Sequence, residues 1–141
     1  MATRTIALFL VLALLAPALA GGPERVAVIV NPERRSQLSV EDLAQIYLRR
    51  KRFWEDGTPV VPLNLPSESA LREQFSRIVL RETESRLAEY WNRQYFHGIL
   101  PPATLVSTES VRRYVASDPN AIGYVPESEV NGSVRVLLRL E

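Results

Sequence analysis

The stretch Pro66-Ser-Glu-Ser-Ala-Leu-Arg72 places Ser67, Ser69 and Arg72 together, after an apolar run and at the start of a helical pattern. These residue types at a helix mouth suit one kind of chemistry, the non-covalent capture of an anion. Serine hydroxyls donate hydrogen bonds, arginine offers a planar bidentate fork, and the first turn of a helix has unpaired backbone N–H groups at the positive end of its dipole. The same residues have a plainer use. Ser69 can serve as the N-cap alone, with Glu73 in the first turn and Arg72 turned to water. Composition alone leaves both readings open.

Other chemistry is poorly supplied. The chain has no cysteine and one histidine, His97, beside Gly98 in a connector. A lone histidine makes neither a usual zinc set nor a Ser-His-Asp arrangement, so no metal ligands or catalytic residues are assigned. No glycine-rich phosphate loop occurs, and no cofactor is implied. The acidic pairs Glu41-Asp42 and Glu55-Asp56 fall at a helix start and in a turn, where carboxylates cap and solvate. Nothing in these patterns indicates an enzyme. The one dense basic run, Arg49-Arg50-Lys51-Arg52, is followed by Phe53-Trp54. Such a run could grip single-stranded nucleic acid. At a helix C-terminus it instead complements the dipole, with the two rings folding back onto the core.

The elements that must position these residues follow from periodicity. "RVAVIVNP", Arg25 to Pro32, reads as a strand buried on both faces, as in a parallel sheet. Ser39 caps an amphipathic helix to about Leu48, with Leu43, Ile46 and Tyr47 inward. Val60 to Leu65 is a second strand, and Pro62 within it suggests a sheet edge or a strand start. Helices follow over about Ser69–Leu80 and Glu84–Tyr95, and after a Gly/Pro connector Ser107 caps a fourth. Short strands at Ala121–Val125 and in "GSVRVLLRL" close the chain. This βαβ rhythm predicts a small α/β domain over residues 21–141.

Residues 1–20 lie outside that scheme. Arg4, the apolar run Ile6 to Leu15 and the ending Ala18-Leu19-Ala20 have the layout of a secretory signal cleaved before Gly21. The run is shorter than the ~20 residues that span a bilayer. The expected destination is a bacterial periplasm, used here without disulfides. Without Arg4, basic and acidic residues balance at 16 each. That balance gives no general field for nucleic acid or membrane. The basic residues are all arginine except Lys51, a skew that high-GC codon usage explains as well as oxyanion binding does.

Taken in order, "VAVIVNP", "LSVEDLAQIYL", "FWEDG", "LREQF" and "AIGYV" resemble the phosphate-type periplasmic substrate-binding proteins of ABC transporters, over about Arg25 to Pro126. The resemblance implies one lobe, the second in chain order, of the two-lobed type II periplasmic-binding-protein fold: a small mixed sheet flanked by about four helices. It implies a small oxyanion ligand, phosphate first, held for uptake or sensing by Ser69, Arg72 and Ser67 and the N–H groups of the second helix. It implies an ABC permease or another membrane protein as partner, and a homodimer would rebuild the missing half of the cage. The family's "GSGTR-x-x-F" turn is altered here, since Ala70 and Leu71 replace its glycine and threonine. Arg49 likewise stands where many relatives have glycine. The alternative is a periplasmic interaction module that keeps the lobe without the ligand. It would dock through the face that met the missing lobe, with Phe53, Trp54, Tyr95 and Phe96 as candidate contacts.

Overall fold

The computed structural model describes residues 22–141, so the expected signal and its cleavage point lie outside the described residues. Along the chain come β1 (Val26–Val30), α1 (Val40–Tyr47), β2 (Val61–Asn64) and α2 (Ala70–Phe75). A π-helical turn, Ser76–Leu80, continues α2, followed by α3 (Glu84–Tyr95) and the two-residue strand β3 (Ala103–Thr104). Then come α4 (Thr108–Ser117), β4 (Ala121–Pro126) and β5 (Arg135–Leu140). The strands form one mixed sheet in the order β3-β2-β4-β1-β5. The α/β reading therefore holds, with one difference of detail, and of the two readings of Pro62 the structure selects one. β1 is fully buried as its unbroken apolar run requires, yet it pairs antiparallel with both β4 and β5. Burial on both faces comes from helices above and below, which either strand direction permits. Pro62 marks a strand start and not an edge, because β2 pairs parallel with β3 on one side and β4 on the other.

Serine and threonine caps set the helix starts. Ser39 and Asp42 form a reciprocal capping box on α1, and Thr83 and Ser107 cap α3 and α4. The backbone hydrogen bond from Ser39 holds the Asp42 carboxyl below its ordinary value. α1 ends in two crossed bonds, Arg49 N–H to Ile46 O and Arg50 N–H to Gln45 O, with Arg49 in the left-handed region at φ 61°. That is a Schellman cap, whose turning residue is usually glycine.

The core lies on both faces of the sheet. On one, Tyr47, Phe75 and Tyr124 pack as a ring cluster, with Phe75 stacked on Tyr124 at 4.0 Å between centroids. Such pairs add about 0.5–1.5 kcal/mol beyond area burial. The Tyr47 hydroxyl donates to Leu63 O at 2.8 Å, and burial pushes its pKa well up, so it stays a neutral donor. On the other face α4 lies so close to β4 that a Cβ at Gly123 would sit 2.5 Å from Cγ1 of Val111. The glycine of "AIGYV" is thus required by packing.

Candidate functional site

Parallel strands give the sheet two distinct ends. Arg52 and Phe53 lead into β2, and Ile99 to Pro101 lead into β3, so both segments lie at the entry end. The turns at Ser69 and Ser107 follow those strands and lie at the exit end, where open α/β sheets hold ligands. Pro66 O accepts from Ser69 N–H at 2.9 Å and closes the turn after β2. The Ser69 hydroxyl oxygen then accepts from Arg72 N–H at 3.3 Å as the α2 cap. Ser67 is exposed and donates to the Glu68 carboxylate at 3.1 Å. Behind the turn, Tyr124 donates its hydroxyl to Asn64 Oδ1, which also accepts from Leu65 N–H. Burial raises the Tyr124 pKa, so this hydroxyl too remains a donor.

Arg72 faces neither water nor an open cradle. Its Nη1 donates to Leu65 O at 2.8 Å and its Nη2 lies 3.4 Å from the Glu84 carboxylate, which also accepts from the buried Ser76 hydroxyl. Nε of Arg72 is buried without a partner, the only side-chain polar atom among the described residues in that state. A depression of about 450 Å³ opens at the exit end, and Ser69, Glu68, Val106 and Ser107 are among its lining residues. Of the three expected ligands only Ser69 reaches it. A second serine-capped helix mouth, at Ser107, and an unexpected carboxylate, Glu68, share it. A larger hollow, about 810 Å³, lies between the end of α1 and α3 and includes Arg50, Arg86 and Arg93.

The family-like motifs serve the fold. Asn31 donates from Nδ2 to Val115 O and Ala116 O at the end of α4. Trp54 donates from Nε1 to Asn120 O at 2.9 Å. Arg34, in a segment that reads only as a polar loop, is 8% exposed and ties three segments together. Its guanidinium donates to Pro119 O, Asp56, Thr58 and Asn120 Oδ1, and stacks 4.5 Å over the Trp54 ring. No spacing rule would have found it, because its partners are distant in sequence. Asp56 is held at a pKa of about 2, chiefly by its hydrogen bonds from Thr58 and then by Arg34.

Of the four rings proposed as contacts, Trp54 is buried, while Phe53, Tyr95 and Phe96 are 57%, 65% and 80% exposed. Phe53 lies at the entry end, away from the Ser69 turn. His97 is exposed, its Nδ1 3.0 Å from Arg93 O. Among the described residues no group of three His, Cys, Asp or Glu side chains could hold a metal ion.

With this geometry in view, solved structures supply the comparison. An X-ray structure of a phosphate ABC transporter substrate-binding protein with bound phosphate from Clostridium perfringens superposes with a TM-score of 0.67 at 20% identity, covering 81% of this chain and 45% of its own. The fold is that of a periplasmic substrate-binding protein. An ABC-type phosphate transport receptor from Vibrio cholerae gives 0.66 at 18% identity, with the same coverage. PstS from Borrelia burgdorferi gives 0.63 at 17%, covering 81% of this chain and 46% of its own. The chain therefore spans about half the length of these binding proteins, as a single-lobe form of the substrate-binding fold would. No protein-family model matches the sequence, and no curated protein matches it.

Proposed function

We propose that the protein is an exported, single-lobe solute-binding protein that takes a small oxyanion, phosphate first, at the exit end of its sheet, for uptake or sensing beside a membrane permease. The observation that carries this reading is the exit-end depression, where the serine-capped mouths of α2 and α4 meet. Arg72 does not line it, but its buried Nε–H is unpaired, a cost of about 1–3 kcal/mol that an acceptor would recover if the side chain swung from Leu65 O and Glu84 toward Ser69. The phosphate bound to the structural neighbour from Clostridium perfringens makes phosphate the first anion to try. Periplasmic residence rests on the signal-like residues 1–20, and the permease on the kind of protein the neighbours are.

Two features limit the affinity. Glu84 already occupies Nη2 of Arg72, and Glu68 brings a negative charge to the depression. With one lobe the anion also stays partly in water, where charge-assisted bonds lose most of their strength. Two such bonds at ~2 kcal/mol each correspond to about millimolar binding. Calorimetric titration with phosphate, with sulfate as control, tests the reading. Saturable heat for phosphate that Arg72→Ala abolishes supports it, and flat traces overturn it.

A second reading, a docking module without a ligand, is favoured by the exposure of Phe53, Tyr95 and Phe96. It predicts flat traces for every small anion. A homodimer that completes the cage would add a concentration dependence to phosphate binding.

A further inference from the structure

The entry end of the sheet carries a surface unlike the rest of the molecule, and it owes nothing to the oxyanion reading. Two segments meet there. The first runs from the end of α1 into β2, and the second from the end of α3 into β3. Arg49 and Arg52 from the first and Gly98 to Pro101 from the second enclose one hollow of about 270 Å³. The first segment is tied to α3, which leads into the second, by the Tyr90 hydroxyl, which donates to Leu48 O at 2.7 Å, and by Arg50 lying 5.6 Å over the Tyr90 ring. Each turns sharply through a left-handed residue, Arg49 at φ 61° and Gly98 at φ 72°. The turns leave apolar side chains projecting. Besides the three rings, Leu100 is 62% exposed, and Tyr95 and Phe96 meet edge to face.

Four arginines on this surface have no carboxylate of the described residues within ion-pair distance. Most other cations of the described residues have carboxylate partners, among them Arg25, Arg34, Arg72, Arg113 and Arg139. Arg49, Arg50, Arg52 and Arg93 have none. The nearest carboxylates are largely committed: Asp42 pairs with Lys51, and Asp56 with Arg34 and Thr58. Glu55 and Glu89 remain, the latter beside Arg50 and Arg93. Arg49 has its pKa lowered by burial and by repulsion from Arg52. Formally neutral as a domain, the protein thus concentrates positive charge around exposed rings.

We propose that this face docks on an anionic phospholipid bilayer, with Arg49, Arg52 and their neighbours at the head groups and Phe53, Tyr95, Phe96 and Leu100 at the acyl boundary. Aromatic rings settle at head-group depth, and each Lys or Arg near an anionic leaflet adds attraction. A second copy would bring like charges face to face. A protein partner would be expected to find pockets for its own anchors, whereas here the rings themselves protrude. The placement leaves the exit end, with its depression, directed away from the bilayer.

Co-sedimentation of the full-length chain with vesicles tests this. Vesicles of phosphatidylcholine alone are compared with vesicles containing about one-third phosphatidylglycerol, at low and high salt. The expected result is binding to the anionic vesicles that high salt reverses. Arg52→Glu should lower it about tenfold or more and Phe96→Ser about fivefold, while Arg113→Glu, the same net charge placed on α4 across the sheet, leaves it within twofold. The apolar run Ile6 to Leu15 is common to all variants, so binding to phosphatidylcholine vesicles at high salt measures its contribution, which is subtracted before lipid types and variants are compared. Binding indifferent to lipid charge and to both substitutions overturns the proposal. So does capture of an oligo-dT single strand by an otherwise vesicle-inert protein, which would make nucleic acid the partner of this face.

Discussion

The guanidinium of Arg72 lies 3.4 Å from the carboxylate of Glu84, and that pairing sets what the exit end of the sheet can do. An anion arriving at Ser69 must compete with a carboxylate already in place. Glu84→Gln keeps the shape and removes the charge, so phosphate should bind more tightly, by up to about fivefold given that Glu84 is partly solvated. Calorimetry on the variant checks this, and unchanged or weaker binding would remove Arg72 from the site. Arg72→Ala should also cost the unliganded protein about 1–2 kcal/mol, because Leu65 O and Glu84 lose their partner. An arginine facing only water, the plainer sequence expectation, would have cost little.

Gly123 is held to its identity by Val111. A methyl group at residue 123 would meet Cγ1 of Val111 at 2.5 Å, so Gly123→Ala should destabilise by about 1–3 kcal/mol in denaturant unfolding. Adding Val111→Ala should recover part of that loss, as coupled neighbours do. Fully additive effects would mean that the two side chains do not share the space.

Arg49 occupies the turning position of the α1 cap at φ 61°, where a side chain is strained. Arg49→Gly should stabilise the fold by about 0.5–1 kcal/mol, the strain relieved outweighing the added chain entropy. The change appears as a rise in urea midpoint at constant slope. A fall would mean that the Arg49 side chain contributes more through packing than its backbone costs.

Asp56 gives the fold an acid limb with a definite sign. Its carboxyl is held at about 2 in the fold against an ordinary 3.8, so the folded state favours the ionised form. The stabilisation is fully present above about pH 3.8 and is lost as the pH falls through about 2. Melting curves of the protein and of Asp56→Asn should therefore differ at pH 7 and converge by about pH 2. Parallel curves down to that pH would show that Arg34 and Thr58 do not hold the charge.

Local pattern was enough for much of this. The apolar run of β1 had to be buried, Ser39 and Ser107 had to stand near helix starts, and Glu84–Tyr95 is a helix whose inward positions recur every three or four residues. Those features depend on residues a turn apart, which sequence displays directly. Of the five stretches behind the fold resemblance, three hold "NP", "W-x-DG" and "IGY", and each of these proves to be a joint of the scaffold: Asn31 on the end of α4, Trp54 on Asn120, Gly123 against Val111. That is why they identify the fold while saying little about a ligand.

Direction and partnership were decided only in three dimensions. Whether β1 runs parallel or antiparallel depends on β4 and β5, about a hundred residues away, and burial reads the same either way. Phe53 and Trp54 are adjacent in sequence, yet extended backbone sends one ring outward and the other into the core beside Arg34. The pairing of Arg72 with Glu84, like the clamp made by Arg34, joins separate elements whose meeting no local spacing encodes. The residues supplied the donors and acceptors; packing determined which of them were already taken.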